Sequence, residues 1–124
     1  MATAKKVLIV DDDGGLVQEL KIFLEGQGFS VQHAPDGETA LRLMEKTIPD
    51  VVLLDIIMPQ VDGFTVAKKI RYNEKTRKVP IIVFSAQEGM RELFAIEGIR
   101  DYMVKPVDRE SLLKLITQRA GTRA

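Results

Sequence analysis

The chain has 124 residues, 45% hydrophobic and 29% charged, which is enough apolar material for one ordinary domain with a real core and too much for a disordered tail. Its 18 basic and 18 acidic residues cancel, giving no support to nucleic-acid wrapping, which needs a net basic footprint. The absence of cysteine removes disulfide scaffolds, thiol nucleophiles and thiolate metal sites together.

The apolar runs are strand-sized, far below the roughly 20 residues of a membrane span. The opening MATAKKVLIVDDD meets three aspartates too early for a secretory signal, so a soluble cytoplasmic domain is expected. Residues 7–10 are four consecutive apolar positions, three of them β-branched, and read as a buried strand. Leu16, Leu20, Phe23 and Leu24 recur at helical spacing and predict a helix over 16–25, ended by Gly26 and Gly28. Residues 29–34 form a second, weaker strand, and Pro35-Asp36-Gly37 a turn. A helix over 38–46 is stopped by Pro49. The third strand, 51–55, is apolar until it ends in Asp55.

Asp62-Gly63 precedes a helix over 64–72, and 73–79 is a charged loop. Strand four covers 81–84, a helix 88–97, and strand five 101–104; Asp108 caps a last helix over 110–119. Met90, Leu93, Phe94 and Ile96 exceed what one inward stripe needs, leaving one or two for a partner-facing surface. Strands alternating with helices are βαβ units, whose right-handed crossovers place helices on both faces of a parallel sheet.

Ligands of such sheets collect outside the carboxyl ends of the strands, at a switch in strand order. Asp11, Asp12 and Asp13 follow strand one, Asp55 ends strand three, Ser85 follows strand four and Lys105 follows strand five. Polar residues ordinarily end buried strands, so each alone is unremarked; their convergence on one rim is what carries weight. Clustered carboxylates repel unless a cation neutralises them. Mg²⁺ suits an all-oxygen site, while a lone histidine, read as a surface residue at His33, gives a transition metal little to use. A hard metal, a carboxylate and an opposed lysine suggest phosphoryl transfer with a carboxylate nucleophile. Gly14-Gly15 satisfies neither the phosphate-loop nor the dinucleotide pattern and is read as a turn beside the acidic pocket.

These residues resemble the receiver domain of two-component response regulators. The segments that carry the likeness are VLIVDDD, PDVVLLDIIMPQVDG, PIIVFSA and DYMVKP, in that order on matching elements. The resemblance implies an α/β, flavodoxin-like, doubly wound five-stranded parallel sheet of order 2-1-3-4-5 with five helices. It places the receiver domain at residues 5–120, with short tails at 1–4 and 121–124. It implies Asp55 as phosphoacceptor, Asp11 and Asp12 as the acidic pair for Mg²⁺, and the Ile57 carbonyl as a further protein ligand. Ser85 then matches the switch hydroxyl, with Ala86 leaving room for the phosphate. Lys105 pairs with a phosphoryl oxygen, followed by Pro106, and Tyr102 is the aromatic that follows the switch. Ile57 and Gln87 match positions that tune hydrolysis.

The implied function is a signalling switch that takes a phosphoryl group from a histidine kinase and autocatalyses its own phosphorylation and dephosphorylation without being an independent enzyme. Its expected partners are a histidine kinase or histidine phosphotransfer protein. A downstream protein would bind the face of helix four, strand five and helix five; neither nucleic acid nor membrane is expected. A phosphorelay intermediate, or a receiver fragment of a larger regulator or hybrid kinase, stays open beside the stand-alone reading, which the absence of an acidic or flexible linker slightly favours. Readings from other classes are a metal-dependent hydrolase with Asp55 as nucleophile, disfavoured because Ile57 supplies no acid or base, and a docking module that is never phosphorylated.

Overall fold

In the computed structural model, residues 4–56, 63–86 and 88–121 are described. Along them lie β1 (Lys6–Val10), α1 (Gly14–Gly26), β2 (Ser30–Ala34), α2 (Gly37–Lys46), β3 (Val51–Leu54), α3 (Gly63–Arg71), β4 (Ile81–Ser85), α4 (Arg91–Ile96), β5 (Asp101–Val104) and α5 (Arg109–Ile116), which runs into a π-helical turn, Thr117–Gly121. The strands are all parallel in the order β2-β1-β3-β4-β5. This is the flavodoxin-like doubly wound sheet expected from the sequence.

Strand side chains alternate between faces, and that alternation builds two cores. Leu8, Val10, Val52 and Leu54 point into the layer made by Ala40 and Met44 of α2, Val66, Ala67 and Ile70 of α3, and Phe94 of α4. Val7, Ile9, Leu53, Ile82 and Phe84 point the other way, onto Val17, Leu20 and Leu24 of α1 and Leu112 and Ile116 of α5. Because both faces are covered, β3 is apolar throughout, and β1 and β4 are apolar but for Lys6 and Ser85 at their ends. Among the described residues no helix is long and apolar enough to cross a membrane.

The elements fall where the periodicity put them, with differences at their ends. The first helix reaches back to Gly14 because Asp13 caps it, accepting from the Leu16 amide at 3.2 Å. It passes through Gly26 and is closed by Gly28, whose φ of +96° favours glycine. The fourth helix was expected from residue 88 but starts at Arg91. Residues 88–90 instead form bends and turns: Gly89 weakens helix there, and Met90 at the cap position makes no side-chain capping bond. Asp108 caps α5 as expected, receiving the Ser111 amide at 3.0 Å. The regular part of α5 ends at Ile116 rather than at residue 119.

Candidate functional site

Sheet hydrogen bonding continues one residue past the strands and thereby fixes the rim residues. The Asp55 amide donates to the Val10 carbonyl at 2.9 Å, the Asp11 amide to the Ala34 carbonyl at 3.1 Å, and the Lys105 amide to the Ser85 carbonyl at 2.8 Å. Asp11, Asp55 and Lys105 therefore sit at register positions of the sheet itself, Asp11 and Asp55 beside the point where the strand order switches and Lys105 at the end of the edge strand β5. Side chains anchored this way are held more tightly than side chains on free loops.

The carboxylates of Asp11, Asp12 and Asp55 bring one oxygen each within 4.8 Å of one another. Asp11 and Asp55 are buried and Asp12 is exposed. Lys105 Nζ lies 3.0 Å from Asp11 Oδ2 and 3.7 Å from Asp55 Oδ1, with the Phe84 ring under it at 4.9 Å from the centroid. Asp11 is held from two further sides. Its Oδ1 accepts the Asp13 amide at 2.9 Å, and its carbonyl accepts from His33 Nε2 at 2.8 Å. Three carboxylates facing one ammonium leave the pocket short of positive charge, a deficit that a divalent cation on oxygen ligands would cancel. The donor set thus fits a hard divalent metal.

On the neighbouring side of the pocket, Ser85 is fully buried at the end of β4. It shares a hydrogen bond with the phenol of Tyr102, which is itself buried on β5. Burial pushes the Tyr102 phenol above its ordinary range, while the Ser85 hydrogen bond and the nearby Arg91 charge pull it partly back. Tyr102 packs against Phe94 with ring centroids 6.0 Å apart, and Phe94 meets Phe64 edge-on at 5.2 Å. The Ser85–Tyr102 pair is thereby joined to α3 and α4 through aromatic contacts.

The structure brings together Asp11, Asp12, Asp55 and Lys105, places Ser85 at the β4 end beside Tyr102, and leaves Ala86 exposed just beyond. Pro106 follows Lys105 through a cis peptide bond. Ile57 and Gln87 lie outside the described residues.

Three contributions were not read from the sequence. Gly63 is one: a Cβ there would meet the Ile56 backbone and lie 2.6 Å from the Asp55 carbonyl oxygen, so only glycine lets α3 start against the end of β3. Its place just ahead of the expected third helix was its sole trace in the sequence. His33 was read only as a surface residue, and the residue is exposed, but its Nε2 also braces the Asp11 carbonyl. Arg91, whose guanidinium stands over the Tyr102 ring at 4.9 Å, left no sequence signal.

Beside the pocket runs an apolar groove along α1, with Leu16, Leu20, Phe23 and Val107 in its lining and Asp13 and Lys105 at its margin. Ile22, also in that lining, is 62% exposed. On the opposite core layer, α4 presents Ile96 at 79% and Leu93 at 40% exposure. The surplus of apolar residues in this helix is therefore on the surface, as its sequence suggested.

The response regulator receiver domain model matches residues 7–117. Protein PilH of Pseudomonas aeruginosa is 37% identical over 113 residues, covering 90% of this chain and 93% of PilH. The DNA-binding dual master transcriptional regulator RpaA of Synechocystis is 36% identical over 110 residues, covering 87% of this chain but 46% of RpaA. The chain spans less than half the length of several curated relatives it matches. Among solved structures, the receiver domain of sensor histidine kinase PA1611 from Pseudomonas aeruginosa, with a magnesium ion coordinated in its active-site cleft, has a TM-score of 0.86 at 30% identity, covering 96% of this chain and 99% of that one. Matched along nearly its whole length, with the acidic pocket, the lysine and the strand order in place, this chain belongs to the response regulator receiver domains of two-component signalling systems.

Proposed function

We propose that residues 5–120 act as a phosphorylation-driven switch, in which Asp55 accepts a phosphoryl group from a phosphohistidine on a histidine kinase or phosphotransfer protein. One observation carries this reading: a buried carboxylate at the end of β3 lies within 3.7 Å of a lysine ammonium and beside two further carboxylates. An Asp55 carboxylate oxygen attacks phosphorus, the P–O bond forms as the P–N bond to the imidazole breaks, and the electron pair leaves with the histidine nitrogen. Lys105, now shared between Asp11 and Asp55, supplies positive charge to one phosphoryl oxygen. Mg²⁺ held by Asp11, Asp12 and Asp55, with the Ile57 carbonyl, would supply charge to the remaining oxygens. Ser85 donates its hydroxyl to the phosphoryl group, and this redirects the bond it shares with Tyr102. Hydrolysis of the acyl phosphate later resets Asp55, with Ile57 and Gln87 as the tuning positions.

The groove along α1 adjoins the pocket through Asp13 and Lys105, which supports docking of the phosphohistidine-bearing partner there. A downstream protein would bind the surface of α4, β5 and α5, where Leu93 and Ile96 are exposed. We place the protein in the cytoplasm with its kinase. The test is transfer from a phosphorylated histidine kinase. Label should pass to the chain in Mg²⁺, fail to pass in chelator, and fail to pass to Asp55→Asn; transfer to that variant at the wild-type rate contradicts the proposal.

A further inference from the structure

The switch pair Ser85 and Tyr102 ends on β5, which is the edge strand of the sheet. Carbonyls on the outer side of an edge strand have no strand to pair with. Here the Tyr102 carbonyl accepts from Arg91 Nη1 at 3.1 Å. The same guanidinium stands 4.9 Å from the Tyr102 ring centroid, and its Nη2 lies 3.3 Å from Glu88 Oε1. One side chain therefore holds Tyr102 by backbone and by ring, and reaches back to the segment that joins β4 to α4. Arg91 is also the first residue of α4, whose start no side chain caps.

These contacts form a continuous series. Ser85 meets Tyr102, Tyr102 meets Arg91, and Arg91 meets Glu88, three residues after Ser85 in the sequence. A planar guanidinium suits this geometry, since its forked donors can serve a carbonyl and a carboxylate while its face lies on a ring. Lysine, with one compact ammonium, can keep the charge over the ring but cannot span all three. Glu88 and Arg91 are both exposed, so the ion pair between them is worth little for stability by itself. Its geometry, rather than its energy, gives it a role.

Resting on the phosphorylation switch proposed above, we infer that Arg91 is a positioning residue, a clamp that makes the inward seat of Tyr102 and the conformation of residues 88–91 change together. When Ser85 turns to a phosphoryl oxygen, Tyr102 remains tied to the start of α4, so the displacement of β4's end passes into α4. The exposed Leu93 and Ile96 ride on that helix.

The chain contains two tyrosines and no tryptophan, so Tyr72→Phe leaves Tyr102 as the sole tyrosine emitter. Tyr72 is 74% exposed, with its hydroxyl on Glu97 at 3.2 Å, and its ring can be replaced by phenylalanine without touching the pocket. In that background, acrylamide quenching of the unphosphorylated chain should rise about two- to fivefold for Arg91→Ala, the change in ring accessibility that loss of a cation–π contact of this kind controls. Arg91→Lys should fall between, and Glu88→Gln should give a smaller rise. Quenching unchanged in Arg91→Lys and Glu88→Gln, or in a folded Arg91→Ala, overturns the clamp; these two mild variants keep the test decisive if Arg91→Ala does not fold. A second arm adds acetyl phosphate and Mg²⁺. In the Tyr72→Phe parent, amide exchange across 88–91 and Tyr102 quenching should change together. In Arg91→Lys the exchange should change while quenching no longer follows; quenching that still follows in full overturns the coupling. Absence of any phosphoryl mass gain counts against the switch and leaves the first arm to judge the clamp.

Discussion

Lys105 rests closer to Asp11 than to Asp55, with Nζ at 3.0 Å from one carboxylate and 3.7 Å from the other. Its charge compensates the acidic pair in the resting pocket. Removing either side of this balance should change stability in opposite directions. Lys105→Ala leaves two buried carboxylates facing each other and should lower the stability of the metal-free chain by about 1–2 kcal/mol, less than a fully buried pair because the lysine is partly hydrated. Asp12→Ala removes a repelling charge and should raise stability by up to about 1 kcal/mol, a gain limited because Asp12 is exposed. Urea unfolding in chelator measures both. Mg²⁺ should restore much of the loss in Lys105→Ala, and an Asp12→Ala midpoint at or below wild type would show that the pocket carboxylates are not mutually strained.

Gly63 should tolerate no side chain. The Cβ of Gly63→Ala would press on the Ile56 backbone and the Asp55 carbonyl, and neither backbone can step aside as a flexible side chain would. A loss of about 1–3 kcal/mol is expected from forcing this contact. Because the displaced group is the carbonyl of Asp55, the proposed phosphoacceptor, phosphorylation should slow beyond what stability accounts for. Thermal unfolding paired with phosphorylation rates at a temperature where the variant is fully folded separates the two effects.

Much of this architecture is legible in the sequence, for a definite reason. A buried parallel strand is a short apolar run, and the first polar residue after it must lie at the rim; hence VLIVD, VVLLD, IIVFS and YMVK point to Asp11, Asp55, Ser85 and Lys105. The same logic finds Asp108, since a capping aspartate before an amphipathic run is a local signal. Contacts that depend on how elements approach each other leave no such trace. Arg91 meets Tyr102 from the first residue of α4, which begins three residues later than its periodicity suggested, and Gly63 matters only once α3 is seen to start against β3. His33 reads as an ordinary surface residue until β2 is registered beside β1, where it pairs with Ile9 and its ring meets the Asp11 carbonyl.

Two helix caps set an acid limit on stability. The Thr39 amide holds the Asp36 carboxyl below the usual carboxylate range, and the Ser111 hydroxyl and amide do the same for Asp108. A carboxyl with a lowered folded-state pKa stabilises the fold above its unfolded value, and the contribution disappears as pH falls through the folded value. Stability should therefore be flat near neutrality and decline through the acid range. Asp36→Asn with Asp108→Asn keeps the amide acceptors and removes the charges, so its urea midpoint should fall less steeply on acidification than that of wild type. Parallel acid profiles would place the sensitivity elsewhere.

Ile57 and Gln87 carry a kinetic expectation by their place in the sequence, two residues after Asp55 and Ser85 respectively. Isoleucine offers no group to orient an attacking water, and glutamine offers an amide without charge. Hydrolysis needs water in line with the acyl phosphate bond, so phosphorylated chain should persist for minutes or longer. Ile57→Asn should shorten that lifetime. First-order decay after removal of the donor, in Mg²⁺, gives both rates; wild-type decay within a few seconds, or no acceleration in the variant, removes rate control from this position.

The central claim is that Asp55 becomes covalently phosphorylated in a pocket completed by a divalent cation. Intact mass after incubation with acetyl phosphate tests it most directly. Wild type in Mg²⁺ should gain the mass of one phosphoryl group, and lose that gain on treatment with hydroxylamine, which cleaves acyl phosphates. Wild type in chelator and Asp55→Asn in Mg²⁺ should gain none. Equal labelling of Asp55→Asn, or labelling of wild type that is indifferent to the metal, would contradict the claim.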